Sequence, residues 1–366
     1  MAKIPLLNQL PVMAPQAVYG GMSVDELVNQ SYWAHNSRAF RDACGLFSAV
    51  ASEDNCVVGL SVGGALVPAG LGESALIPLM KAHLVDWVVS TGANLYHDLH
   101  AQLGYEMRLA RDQNDDRRLR DEGVIRIHNV AFDQQALFVT DRFLQEFFEH
   151  LSDSCPDKHL STSRVCKLLG ERLLSLDERA ARRSILAAAA AEAIPVFCPA
   201  IADSSIGMNA AAVALRSHAL TIDPLLDITE SAALVYAARK RGCRTGAVIL
   251  GGGVAKNFQL QTEPHIQEVL GLSDTGHDFF IQFTDARVDT GGLSGATPSE
   301  AVTWGKIDPN ALSNTVVCYA DCTLVLPLFV AYVLAKPQKR KAKRLLDELD
   351  QNVRLLREHY AHRLRS

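Results

Sequence analysis

Seven short apolar runs recur along the chain, at residues 57–62, 85–90, 124–129, 194–199, 246–250, 279–283 and 316–319. Each is closed by glycine or polar turn residues, and helical patterns lie between them. Two such patterns are 184–193, an alanine-rich stretch of high helix propensity, and 228–241. Strands this uniformly apolar need cover on both faces, and intervening helices supply it. The alternation predicts an α/β fold of Rossmann-like type, a mostly parallel sheet with helices on both faces.

No Pro/Ser-rich linker interrupts the alternation, so one large domain is expected at 51–335, after an N-terminal helical arm at 1–50. The last segment, 336–366, carries ten Lys/Arg against Asp347, Glu348, Asp350 and Glu358. Its Leu345, Leu349, Val353 and Leu356 fall at helical spacing. This predicts a basic helix packed on the domain or on a partner subunit. Residues 108–122, dense in Arg and Asp, read as a solvated helix or loop.

A formal net charge of −5 lacks the basic footprint of a nucleic-acid binder, so no nucleic-acid partner is expected. The eight cysteines contain no CxxC pair and the twelve histidines no HxxxH or HExxH pair, so neither a disulfide framework nor a metal site is implied. Residues 1–21 lack a signal-peptide pattern. The most membrane-like segment, 315–335, is interrupted by Asp321 and Pro327, whereas a spanning helix needs about 20 apolar residues. It reads as a buried strand and a core helix, and the chain as a cytoplasmic protein with reduced thiols.

Three strand ends carry chemistry-bearing turns. Residues 246–253 are an apolar strand running into Gly251-Gly252-Gly253, where backbone N–H groups can approach a phosphate at a helix N-terminus. A tight strand-to-helix turn explains the same glycines. The turns at 90–94 and 199–207 are alike, and in open α/β sheets ligands bind beyond the carboxyl ends of strands. Asp98 and Asp203 are carboxylates for a ribose or a cationic substrate, or else helix caps.

The stretch 294–306 brings Glu300, Trp304 and Lys306 together after a glycine-rich turn. A lysine against an aromatic wall is a candidate Schiff-base nucleophile, because covalent attack requires burial or a nearby cation to lower its pKa. A lone Trp-Gly-Lys is more often a surface lysine at a strand end.

In this order, Ile194-Pro-Val-Phe-Cys-Pro-Ala200, Ile249-Leu-Gly-Gly-Gly-Val-Ala-Lys256, Ser294 through Ile307, and Tyr319-Ala-Asp321 followed by Leu324-Val-Leu-Pro327 resemble the deoxyhypusine synthase family. The resemblance implies NAD-dependent transfer of an aminobutyl group from a polyamine such as spermidine. The group passes through an imine on the lysine that matches Lys306 to an acceptor amine. It places Glu300 and Trp304 against the polyamine. Gly64, Ala65, Thr91, Gly92, Ala93, Asp203, Gly252, Thr284 and Asp321 fall where the family contacts NAD. It further implies a homotetramer with sites at subunit interfaces.

Several positions depart from the family. Asn257 stands where the family has a histidine, Met208 and Leu293 where it has aspartates, and Tyr96 and His97 where it has paired glutamates. Asn257 can hydrogen-bond an amine but cannot act as a general base near neutral pH. Asp289 and Glu300 remain as anchors for a cationic substrate, and Asn257 and His97 as further substrate contacts. The altered pocket favours a homospermidine synthase-like transferase acting on a small amine. The alternatives are a true deoxyhypusine synthase modifying a translation-factor lysine, and an inert NAD-binding relative.

Overall fold

The computed structural model describes residues 6–110, 115–155, 159–216, 220–337 and 340–365. Six strands form a parallel sheet: β1 Cys56–Val62, β2 Trp87–Ser90, β3 Val196–Phe197, β4 Arg244–Leu250, β5 Phe279–Thr284 and β6 Thr315–Tyr319. Their spatial order is β6-β5-β4-β1-β2-β3, the doubly wound 3-2-1-4-5-6 arrangement. Every residue of β1, β2 and β5 is buried, as strands covered on both faces must be. The α/β architecture is the one expected.

Six of the seven apolar runs supply this sheet, and the seventh does not. Val124–Ile127 pairs antiparallel with Val130–Asp133, which in turn pairs with Arg108–Leu109, in a small separate sheet. The physical reason is visible in the run itself: Arg126 is exposed and its guanidinium pairs with Asp116, so the strand has a polar face. The helix Asp116–Asp121 has no buried residue, in keeping with a solvated segment, while 111–114 lie outside the described residues. β2 and β3 are shorter than their apolar runs. At β3 the flanking Pro195 and Pro199 have no N–H to give a ladder.

The expected helices form at Ile185–Ala191, capped by the Ser184 hydroxyl, and at Pro224–Lys240. The latter buries every residue from Glu230 to Ala238 between the sheet and the C-terminal helix Leu349–Arg363. Leu345, Leu349 and Leu356 seat that last helix. Ahead of it, Arg340 enters the sheet's amino edge, where its guanidinium pairs with Asp86 and donates to the Cys56 carbonyl at 2.9 Å. The helices Val24–Ser31 and His35–Ala51 cover the opposite edge, against β6 and the helix Cys322–Leu334. Segment 315–335 is a strand and a packed helix, and among the described residues no helix is long and apolar enough to cross a membrane.

Candidate active site

The strand order reverses between β1 and β4, so their carboxyl ends open a crevice. There the Gly63 N–H donates to the Leu250 carbonyl at 2.8 Å. Gly251 and Gly253 take φ values of +80° and +62°, which cost a residue with a Cβ strain. A Cβ on Gly252 would lie 2.5 Å from the Ser294 Cα. The triple glycine is thus needed both to turn the chain into the helix Gly253–Pro264 and to let the segment bearing Ser294 approach.

Two cavities meet at this turn. One, of about 270 Å³, is lined by Gly63, Gly64, Thr91, Gly92, Asp203, Gly252, Val254 and Ser294 among others. The helices Gly253–Pro264 and Gly92–Gln102 both begin at its wall. Thr91 braces the loop after β1 by donating from its hydroxyl to the Gly64 carbonyl at 2.6 Å. The second cavity, also of about 270 Å³, is lined by Lys256, Asn257, Phe280, Leu293, Glu300, Trp304 and Lys306 among others. The short turn Leu293–Gly295 stands between them, with Leu293 on one side and Ser294 on the other.

The Thr297 hydroxyl caps the helix Pro298–Thr303 by accepting from the Glu300 N–H, which starts the helix that presents Glu300. The helix ends at Trp304, and Gly305 at φ +67° turns the chain so that the Lys306 N–H returns to the Ala301 carbonyl at 3.0 Å. Lys306 Nζ donates to Asn257 Oδ1 at 3.1 Å and lies 5.6 Å from the centre of the Trp304 ring. Burial lowers the Lys306 pKa from its ordinary value, and the Glu300 carboxylate opposes the shift.

Lys256 is a second lysine in the same cavity, and the sequence reading does not single it out. It is only 3% exposed, and its Nζ donates to Gln282 Oε1 at 3.0 Å and to the Ser294 and Ala296 carbonyls at 3.3 and 2.7 Å. Burial is the main cause that pushes its pKa down to about 8; Glu300 opposes this and the Lys306 charge adds to it. The signal available beforehand was positional, since Lys256 lies beside Ala255 on the stripe that continues to Gln259, Leu260 and Glu263, all buried.

The structure brings Lys306, Asn257, Glu300 and Trp304 into one cavity, and Gly64, Thr91, Gly92, Asp203 and Gly252 into the other. Ala65 and Ala93 directly follow lining residues. Thr284 and Asp321 end β5 and begin the helix after β6; the Thr284 hydroxyl accepts from the Ala286 N–H, and Asp321 caps Cys322–Leu334.

Two predicted substrate contacts do not join Lys306 within the chain. His97 follows β2, on the far side of β1, and lines a different cavity with Glu73, Tyr105 and Arg183. Asp289 sits in an exposed turn, paired to Arg287 at 2.6 Å. Met208 is exposed and lines neither the lysine nor the glycine cavity. Asp98 is a cap: it accepts from the Ser184 hydroxyl and from the Ile185 and Leu186 N–H groups, and burial pushes its pKa up to about 6.

A family model described as deoxyhypusine synthase matches residues 26–333. The chain is 46% identical over 350 residues to the "Deoxyhypusine synthase-like protein" of Nostoc punctiforme, covering 95% of this chain and 89% of that one. It is 36% identical over 283 residues to the "Probable deoxyhypusine synthase 2" of Methanosarcina acetivorans, covering 77% of each. The fold also matches the crystal structure "of a putative deoxyhypusine synthase from Entamoeba histolytica", with a TM-score of 0.59 at 20% identity over 88% of this chain and 96% of that one. With a family match across most of its length, this chain belongs to the deoxyhypusine synthase family.

Proposed function

We propose that the protein is an NAD-dependent aminoalkyl transferase in which Lys306 carries the transferred group as an imine and a small amine accepts it, as in a homospermidine synthase. The observation that carries this reading is Lys306 itself, with its lowered pKa, its bond to Asn257 and its place against Trp304. A lowered pKa raises the fraction of neutral amine, the only form that can attack carbon. Asn257 Oδ1 accepts from Nζ and so aims the nitrogen lone pair. The Trp304 ring excludes water from one side of the imine carbon. Glu300, which has no ion pair among the described residues, is free to hold a substrate ammonium.

The glycine-lined cavity fits a dinucleotide. Two helix N-termini start at its wall, where backbone N–H groups and the helix dipoles favour phosphate. Gly64, Thr91, Gly92 and Gly252 would hold the phosphates and Asp203 a ribose hydroxyl. NAD bound there would accept a hydride from the donor amine and return it to the product. The shared Leu293–Gly295 turn supports the pairing, since it keeps the two cavities adjacent.

A homotetramer with sites at subunit interfaces accords with the exposed apolar residues Val254, Leu293 and Trp304 around the two cavities. Incubation with NAD, spermidine and putrescine is expected to yield homospermidine by mass spectrometry, and Lys306→Ala to abolish it. Failure to form any transfer product across a panel of donor and acceptor amines would overturn the proposal. Labelling of a translation-factor lysine in place of small amines would identify a protein acceptor instead.

A further inference from the structure

We infer that Arg239, which lines neither cavity, is a positioning residue for Lys306: it holds the segment 274–278, against which the Lys306 main chain is docked. The inference rests on the reading of Lys306 as the reacting lysine and names what fixes its place.

Lys306 is rooted at the amino end of the sheet. Its carbonyl accepts from the backbone N–H of His277 at 3.0 Å, and the His277 carbonyl accepts from the Asp308 N–H at 3.1 Å. These bonds make a parallel bridge between His277 and Ile307, just ahead of β5. Gly276 approaches as closely. It takes φ +96°, and a Cβ there would sit 2.6 Å from the Ile307 carbonyl carbon and 2.8 Å from the Gly305 oxygen, so the two segments touch backbone to backbone. From this root the Lys306 side chain reaches Asn257 Oδ1 at 3.1 Å. A shift of the 274–278 segment is therefore carried to the reacting nitrogen through the main chain.

Arg239 holds that segment at three points. Near the end of the helix Pro224–Lys240, its guanidinium lies 3.3 Å from Asp274 Oδ1, pairs with Asp278 and donates to the Gly276 carbonyl. The Arg239 and Asp274 side chains are 16% and 1% exposed, so solvent screens their pairing little. Asp278 continues the tie to β4, accepting from the Thr245 N–H at 2.7 Å and donating its own N–H to the Thr245 carbonyl at 2.7 Å. Residues 271–276 form neither helix nor strand, so their course depends on such side-chain bonds. A planar guanidinium with five donors holds two carboxylates and a carbonyl at once, which a single ammonium on a lysine stem does not match.

The test is the titration of Lys306 in the full-length protein without NAD or amine, read by competitive acylation and peptide mass spectrometry. Arg239→Met is expected to free the 274–278 segment, let Lys306 reach water and move its titration up toward the ordinary value of 10.5. Arg239→Lys keeps a cation for one carboxylate and should shift the titration in the same direction by less, which gives a reading even where Arg239→Met does not fold. Arg241→Met is the control, because Arg241 lies two residues on in sequence and bonds Glu348, Asn352 and the Ala237 carbonyl instead. It should leave the Lys306 titration in place, and thermal melts establish that each variant is folded.

A Lys306 titration unmoved in a folded Arg239 variant, or moved as far by Arg241→Met, would overturn the inference. Because no transfer is needed for this reading, a protein whose Lys306 responds as expected but forms no product would count against the proposed function and leave the positioning role standing.

Discussion

Gln267 donates from Nε2 to the carbonyl of Gly305 at 2.9 Å, so the residue immediately before Lys306 is tethered to the end of another helical segment. The same amide nitrogen reaches Glu263 Oε2 at 3.3 Å, and Glu263 Oε1 lies 3.4 Å from His277 Nδ1. The backbone N–H of His277 donates to the Lys306 carbonyl at 3.0 Å. Burial raises the Glu263 pKa and pushes that of His277 down to about 3, so both shifts favour the neutral forms. Replacing Gln267 by Leu removes one bond to Gly305, about 1 kcal/mol of net stability. The expected result is a rate of imine formation on Lys306, trapped with borohydride, about tenfold lower, with KM for the amine little changed.

Lys256 and Lys306 share one cavity, and two ammonium groups so placed repel. The Lys306 charge lowers the Lys256 pKa, so Lys306→Met should let it rise from about 8 toward its ordinary value of 10.5. The neutral fraction of Lys256 near pH 7 should then fall severalfold and its titration shift to higher pH. Competitive acylation of Lys256 followed by mass spectrometry reads the shift directly, and an unmoved profile would refute the coupling.

The buried pair of Arg340 and Asp86 joins the C-terminal segment to the sheet. Arg340→Met leaves Asp86 buried alone and should cost about 3–5 kcal/mol in denaturant unfolding. Adding Asp86→Leu removes the orphaned charge and should recover a large part of that loss. A double variant no more stable than the single one would show that the segment is held by the leucines alone.

His97 and His100 stack with Phe132 and Tyr96, and burial pushes both imidazole pKa values down to about 4, His97 adding to the effect on His100. In the unfolded chain each titrates near 6.5, so between these values the unfolded state binds more protons. Stability should be level above pH 6.5 and fall as pH drops toward 4. His100→Phe is expected to flatten that fall in thermal melts at pH 4 to 7, since it removes one of the two buried imidazoles that must charge.

Much of the sheet was legible because β1, β2, β4 and β5 are buried along most of their length, and such strands leave an apolar run that polar turns punctuate. The 124–129 run misled because partly and fully buried strands look alike over a few residues, and within the strand Arg126, exposed, separates them. Lys306, Trp304 and Glu300 were legible as a local cluster, for they lie within seven residues on one helix end. Lys256 and Gln267 were not, since their importance comes from Gln282, Ser294 and Gly305, contacts that span 26 to 38 residues. His97 and Asp289 show the converse: a position can match a pattern while the chain that bears it keeps it apart from Lys306.

The Leu293–Gly295 turn is one wall with two sides, and it is pinned rather than free. The Ser294 hydroxyl accepts from the Gly253 N–H at 2.9 Å, and its carbonyl takes bonds from Gln282 and Lys256. A guest that pushes this wall from either chamber must change the shape met by a guest in the other, and linkage makes the effect equal in both directions. Under the proposed function, with an amine in one chamber and NAD in the other, a substitution at Ser294 is expected to be felt in both affinities at once.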